Sequence, residues 1–408
     1  MSKLRKTIMV GLILVGLLMP ACTFIATAHL DQELRSIVKP YTFNLWRHEL
    51  EAAFRGLKEI IRPEGKVKAD DTAIVREYFM LVGQIKAIKS RIAATDGDDE
   101  ETEMLAEALT RLEGRRAEIE DKTRRILSKQ IEQVLVDQGI RNPLDKYLGI
   151  ELVFPPLIFE LEKPPNLLVI SPRDKIELDK RILLNPDLEL EEKEAIESQA
   201  DDLDVSSLIV ELGGFAGAWP TMVAEDNELR HTINLVVEEW FHQYLAFRPL
   251  GFLYLLDSTG FREDADIVTM NETLAGMVSE EVTSEVLSTF YAGEVMEDQF
   301  DQAGFDFDEE MRQTRRAVDE YLAQGKIEEA EEFMEEKRQL FVAEDHYIRK
   351  LNQAYFAFHN IYAYKPASIS PIDEDLRELR RQSDSLEEFL DEVTSMTSYD
   401  DLRRAVRD

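Results

Sequence analysis

The chain has 408 residues with 44% apolar and 9% aromatic content, enough to bury a large core and too apolar for a disordered polyelectrolyte. Its 82 acidic against 48 basic residues leave a formal charge of -34, which repels a phosphate backbone and argues against DNA or RNA as a partner. Cys22 is the only cysteine, so the chain has no internal disulfide framework.

The first six residues include Lys3, Arg5 and Lys6, and the next 22, TIMVGLILVGLLMPACTFIATA, carry no charge. Residues 1–29 therefore read as an export or anchoring signal. Three outcomes stay open. The apolar run nearly reaches the ~20 residues needed to span a bilayer, which favours a transmembrane signal anchor in the cell membrane. Leu18-Met19-Pro20-Ala21-Cys22 is a loose lipobox, which makes the chain a lipoprotein candidate. Ala26-Thr27-Ala28 offers a cleavage site that would release a secreted body. In each case the basic flank stays inside and the body is expected to be extracytoplasmic.

Residues 30–62 place Leu34, Ile37 and Val38, then Trp46, Leu50, Phe54 and Leu57, at three- and four-residue spacing, which predicts helix. Two longer helical patterns follow at 72–94 and 100–138. The turn-rich acidic link Asp96-Gly97-Asp98-Asp99 separates them, so the region 30–140 is expected to be built on an antiparallel helical hairpin. From 141 to 226 prolines punctuate short apolar stretches such as PPLIFEL, NLLVIS and KRILLN, the marks of a small β-sheet subdomain. A polar helix at 188–201, the strand candidate SSLIVEL and the glycine-rich GGFAGAWPTM complete it. Residues 227–408 read as helical. The expected class is α+β, mostly α.

The stretch VVEEWFHQYL, 236–245, carries the candidate chemistry. Glu238 and His242 stand about 40° apart on a helix, one turn removed, so both can reach one ion. Glu239 is the neighbour placed to act as a proton shuttle. The pattern is the H-E-x-x-H zinc-protease motif with the first histidine replaced by Glu238. A carboxylate is a legitimate zinc ligand, but its charge weakens the Lewis acidity of the ion. A third ligand is needed, and Glu272 in MNETLAGMVSEEV, 30 residues after His242, is the best candidate, with Asn271 beside it in a supporting role.

The order H-E-x-x-H-Q then N-E-x-x-A-x-x-V-x-E resembles the gluzincin metallopeptidases, in particular a group of bacterial envelope aminopeptidases. Leu351, Asn352, Ala354, Ala357 and Tyr362 in LNQAYFAFHNIY stand where that group has L-N-x-A-x-x-A-x-x-x-x-Y. The likeness covers residues 225–403 and says little about 30–150. It implies a zincin-like core, with a small sheet before the active-site helix whose edge strand binds substrate backbone. It also implies one zinc, or another divalent metal, held by Glu238, His242 and Glu272, with Glu239 as base and Tyr362 stabilising the oxyanion. The departure at Glu238 lies in a ligand itself.

Two functions are therefore expected. The first is a membrane-tethered, extracytoplasmic metallopeptidase that hydrolyses peptide bonds with a metal-bound water, its substrate a peptide or protein and its membrane contact the N-terminal segment. The alternative is a catalytically inactive envelope protein that keeps the fold for peptide or protein binding. A di-iron reading of Glu228-x-x-His231 with Glu239-x-x-His242 fails, because eleven residues on one helix separate the motifs by about 16 Å. His231 is expected at a cap or on the surface. His346 and His359, among Tyr347, Tyr355, Phe356 and Phe358, are expected as satisfied core or cleft histidines, with contact to a transition state as the alternative, and Trp240, Phe241, Tyr244 and Phe247 as core.

Overall fold

The computed structural model describes residues 32–44, 68, 71–94, 99–140, 153–292 and 305–407. Helix α1, Gln32–Val38, gives way to a 3-10 turn at Lys39–Tyr41, and the chain then turns extended. Pro40 explains the break, since its ring leaves no N–H to continue the ladder. The expectation of continuous helix over 30–62 is thus corrected at this point; residues 45–62 lie outside the described residues.

Helices α2, Thr72–Ala94, and α3, Asp99–Asp137, form the expected antiparallel hairpin. Their ion pairs run in opposite chain directions, Arg115 with Glu77 and Lys89 with Glu113. Apolar side chains at helical spacing, Val75, Tyr78, Phe79 and Val82 on α2 and Ile119, Ile126, Leu127 and Ile131 on α3, bury one face of each. The hairpin is also tied to the body: the Tyr78 hydroxyl donates to Glu225 at 2.5 Å, and the Tyr291 hydroxyl to Gln130 at 2.8 Å.

The strands are β1, Phe159–Leu161; β2, Asn166–Pro172; β3, Lys180–Leu184; β4, Val205–Glu211; β5, Gly214–Phe215; and β6, Thr221–Val223. Helix α4, Leu190–Asp201, lies between β3 and β4. They form two sheets where the sequence suggested one. The antiparallel sheet has order β3-β2-β4, and the second has order β1-β6-β5, with β1 and β6 parallel. Pro164 and Pro165 stand between β1 and β2 and carry no N–H, so the first ladder cannot run on into the second. One face of the larger sheet, with Leu168, Ile170, Ile182 and Ile209, packs on α1 and α4. The other, with Leu167, Val169 and Leu208, packs on the helix that carries Ala354 and Phe358.

The remaining helices are α5, Leu229–Leu245; α6, Pro249–Ser258; α7, Ala265–Phe290; α8, Phe307–Ala323; α9, Ile327–Ala343; α10, Gln353–His359; α11, Ile372–Gln382; α12, Leu386–Val393; and α13, Tyr399–Ala405. Helices α5 and α7 share the main core with the hairpin, β1 and the C-terminal helices, whereas α8 and α9 close a satellite core around Met311, Met334 and Phe341. The class is α+β, mostly α.

The expectation of a transmembrane helix is corrected. Among the described residues no helix is long and apolar enough to cross a membrane. Helix α7, for example, carries Asp266, Glu272, Glu280, Glu281 and Glu285 along its length. The stretch 1–29, on which the anchor and lipobox readings rested, lies outside the described residues.

Candidate metal centre

Helix α5 is apolar over most of its circumference. Ile233, Val236, Val237, Trp240, Phe241 and Tyr244 are buried, and the Trp240 indole donates to Pro155 O at 2.8 Å. These anchors fix the helix rotation and place Glu238, Glu239 and His242 together on the remaining side, where the His242 side chain is 10% exposed. Helix α7 begins at a cap in which the Asp264 carboxylate accepts from Ile267 N at 3.2 Å. It runs antiparallel to α5: Arg230 pairs with Glu280, Asn234 donates to Ser279 at 3.0 Å, and His242 faces Asn271 and Glu272.

This crossing brings Glu238, His242 and Glu272 together, with one potential ligand atom from each within 4.8 Å of the others. His242 Nε2 lies 3.5 Å from Glu272 Oε2. On the far side of the ring, Nδ1 lies 2.7 Å from Asn271 Oδ1, an oxygen that can only accept, so Nδ1 carries the proton and Nε2 points into the group. The other oxygen of Glu272, Oε1, accepts the hydroxyl of Tyr254 on α6 at 2.7 Å, and the Tyr254 ring stacks on the imidazole with centroids 5.7 Å apart.

Glu239 reaches instead toward the glycine-rich loop. A backbone N–H of Ala216 is its hydrogen-bond partner, and a Cβ on Gly214 would come 2.7 Å from Glu239 Cδ, so only glycine leaves room for this carboxyl. Gln243, one turn on, donates to Ala216 O at 3.1 Å and Ala218 O at 2.9 Å and holds that loop along α5. Strand β5 within it is the edge of its sheet.

Tyr362 follows α10 and reaches the same region. Ala363 N donates to Thr273 Oγ1 at 3.0 Å, which ties this segment to α7 one residue past Glu272. Burial, then the charges of Glu272 and Glu238, hold the Tyr362 phenol well above its ordinary pKa, so it is a proton donor. Tyr364 lies over Gly276, where a Cβ would come 2.6 Å from its ring.

Three carboxylates and one imidazole thus share a poorly solvated space. Burial, partly offset by His242 and reinforced by Glu272, raises Glu238; burial pushes Glu239 up to about 8. Burial alone would lower His242, but Glu272, Glu239 and Glu238 carry it up to about 9. Burial alone would raise Glu272, yet His242 and the Tyr254 hydrogen bond bring it below its ordinary value. The raised His242 reports the carboxylates around it, and the raised Glu238 and Glu239 report the cost of burying charge, both of which a divalent cation would relieve. The donors are two carboxylate oxygens and an imidazole nitrogen with its tautomer already set, and such a set fits a divalent metal ion.

The other singled-out residues lie elsewhere. His231 is exposed in the first turn of α5, and His346 stacks on Phe307 in the satellite core with centroids 4.5 Å apart. His359 packs against Tyr355 and Phe358. Phe247, expected in the core, is 40% exposed and packs edge-on to Phe154, because α5 ends at Leu245 and the chain turns outward. Tyr254, Tyr364 and Gly214 were not singled out by the sequence; an aromatic on an apolar helix, another in a turn and one glycine among several give no local signal. No family model, curated protein or solved structure matches the chain.

Proposed function

We propose that the chain is a metal-dependent peptidase of gluzincin type with a zincin-like core, acting on a peptide or protein substrate outside the cytoplasm. The observation that carries this reading is the convergence of Glu238, His242 and Glu272 beside a separate buried carboxyl, Glu239. The order of elements supports it: an edge strand, then the helix with two donors, then the helix with the third. A divalent ion held there, zinc being the one the resemblance implies, supplies Lewis acidity to a substrate carbonyl and to water.

The chain's own groups do the rest. Glu239, a buried carboxyl beside the three donors and held against the Gly214 loop, is the group placed to act as general base. It takes the proton of the attacking water and returns it to the leaving amine. The protonated Tyr362 hydroxyl donates to the developing oxyanion. The open edge of β5 pairs with extended substrate backbone. Asn271 and Tyr254 keep His242 and Glu272 from rotating out of place.

Metal analysis by mass spectrometry on the purified protein, with and without Glu272→Ala, tests the reading. Stoichiometric divalent ion lost in the variant, together with peptide cleavage lost in Glu239→Gln, is the expected result. Protein that holds no divalent ion sinks it.

A second reading, a catalytically silent fold that binds peptide, draws on Glu238 itself. The carboxylate weakens an ion's Lewis acidity, and His242 with Glu272 at 3.5 Å already forms a charge pair without one. Peptide binding without hydrolysis by ion-free protein would select it.

A further inference from the structure

Glu272 has two oxygens, and the structure gives them different partners. Oε2 lies 3.5 Å from His242 Nε2, the ring nitrogen turned toward the candidate ligand group. Oε1 accepts the Tyr254 hydroxyl at 2.7 Å, an ordinary O–H···O distance. Tyr254 is firmly placed. Leu250, one turn earlier on α6, is fully buried and its N–H donates to Thr394 O at 3.1 Å. The Tyr254 ring lies nearly parallel to the His242 imidazole, at 17°. Glu272 is 5% exposed, so its carboxylate has little room to swing.

We propose that Tyr254 is a positioning residue that confines Glu272 to one-oxygen ligation, and that this keeps the site selective for low-coordination ions of zinc type over oxygen-preferring, six-coordinate ions such as manganese. The inference rests on the metal-binding reading above.

The physical ground is the donor count. Three protein donors suit an ion that is content with four or five ligands in all. A set in which Glu272 chelates through both oxygens, joined by the already oxygen-rich Glu238, suits a harder ion of higher coordination number. The hydroxyl of Tyr254 competes for Oε1 directly, so its removal frees that oxygen without disturbing the ring that packs on His242. A tyrosine that merely satisfied a buried carboxylate would leave coordination number and ion preference unchanged when its hydroxyl is removed.

The test uses the full chain loaded with cobalt(II) alone, whose visible absorption is strong when four-coordinate and weak at higher coordination. Tyr254→Phe is expected to reduce the band several-fold and to lower the ratio of zinc to manganese affinity by about 10-fold, the scale on which groups behind metal ligands act. In a Glu272→Gln background, which has no second carboxylate oxygen, Tyr254→Phe is expected to change neither. Circular dichroism shows whether each variant keeps its fold. If Tyr254→Phe fails to fold, Glu272→Gln alone decides, because a one-oxygen site keeps the wild-type band at saturating cobalt and a chelating one does not. Metal-loaded wild type and Tyr254→Phe with the same band and the same ratio overturn the inference but leave the metal reading standing. Failure of the wild type to bind cobalt, zinc or manganese removes both.

Discussion

Asn271 Oδ1 lies 2.7 Å from His242 Nδ1, so adjacent residues of α7 meet the candidate metal site in different ways: Asn271 orients the imidazole and Glu272 offers a carboxylate oxygen of its own. Asn271 is fully buried and costs the fold a polar group in an apolar helix interface, which makes sense if the imidazole must be held. Asn271→Ala is expected to weaken divalent-ion affinity by about 10- to 100-fold, measured by competition with a chromogenic chelator. Asn271→Asp, which keeps an acceptor, should retain most of it. Equal affinity in all three proteins would show that the contact does not order the ligand.

Gly214 tests the assignment of Glu239. A Cβ there would come 2.7 Å from Glu239 Cδ, so Gly214→Ala must push the carboxyl aside. On the proposed peptidase reading, ion content should be unchanged, since Glu239 is not among the three donors, while kcat falls. Glu239→Gln should lower kcat by about 10²- to 10⁴-fold, the usual contribution of a positioned base. An active Glu239→Gln enzyme would remove Glu239 from the mechanism.

His359 predicts an acid-side loss of stability. Burial, with Lys365 adding to it, lowers its pKa to about 4, against about 6.5 in an unfolded chain. Between these values the unfolded chain takes up a proton that the native state refuses. Stability from this residue is therefore complete above about pH 6.5 and declines as pH falls toward 4. Urea midpoints at pH 7 and pH 5 should fall further for the wild type than for His359→Phe. Parallel behaviour of the two would place His359 in a solvated setting.

Glu197 is 3% exposed and accepts from both Arg349 guanidinium nitrogens, at 2.8 and 2.5 Å, and from Ile209 N at 2.6 Å. It fastens the segment before α10 to α4 and β4. Glu197→Ala takes the carboxylate from Arg349, which keeps only its bond to Ile209 O, and leaves a strand N–H unpaired, and should cost about 2–4 kcal/mol in equilibrium unfolding. Removing Arg349 as well should recover part of that loss, and a strictly additive double mutant would deny the coupling.

Much of this molecule is local and was therefore legible in the sequence. The hairpin helices follow from apolar spacing and an acidic turn, and the strands from apolar runs between prolines, because these patterns are set by neighbours a few residues away. Glu238 and His242 were legible for the same reason, since one turn of helix already brings them together. That Glu272 meets them was an expectation from spacing and resemblance; the crossing of α5 and α7, decided by Trp240, Phe241 and the buried face of α7, is what brings its oxygen within 4.8 Å. Tyr254 and Gly214 became visible only in three dimensions. Their roles depend on which atoms they touch across the fold, and a hydrogen bond to Oε1 or an absent Cβ leaves no periodic mark in the chain. The split of the expected sheet into two was likewise a tertiary outcome, because prolines mark where a ladder must stop but not where the next strand finds its partner.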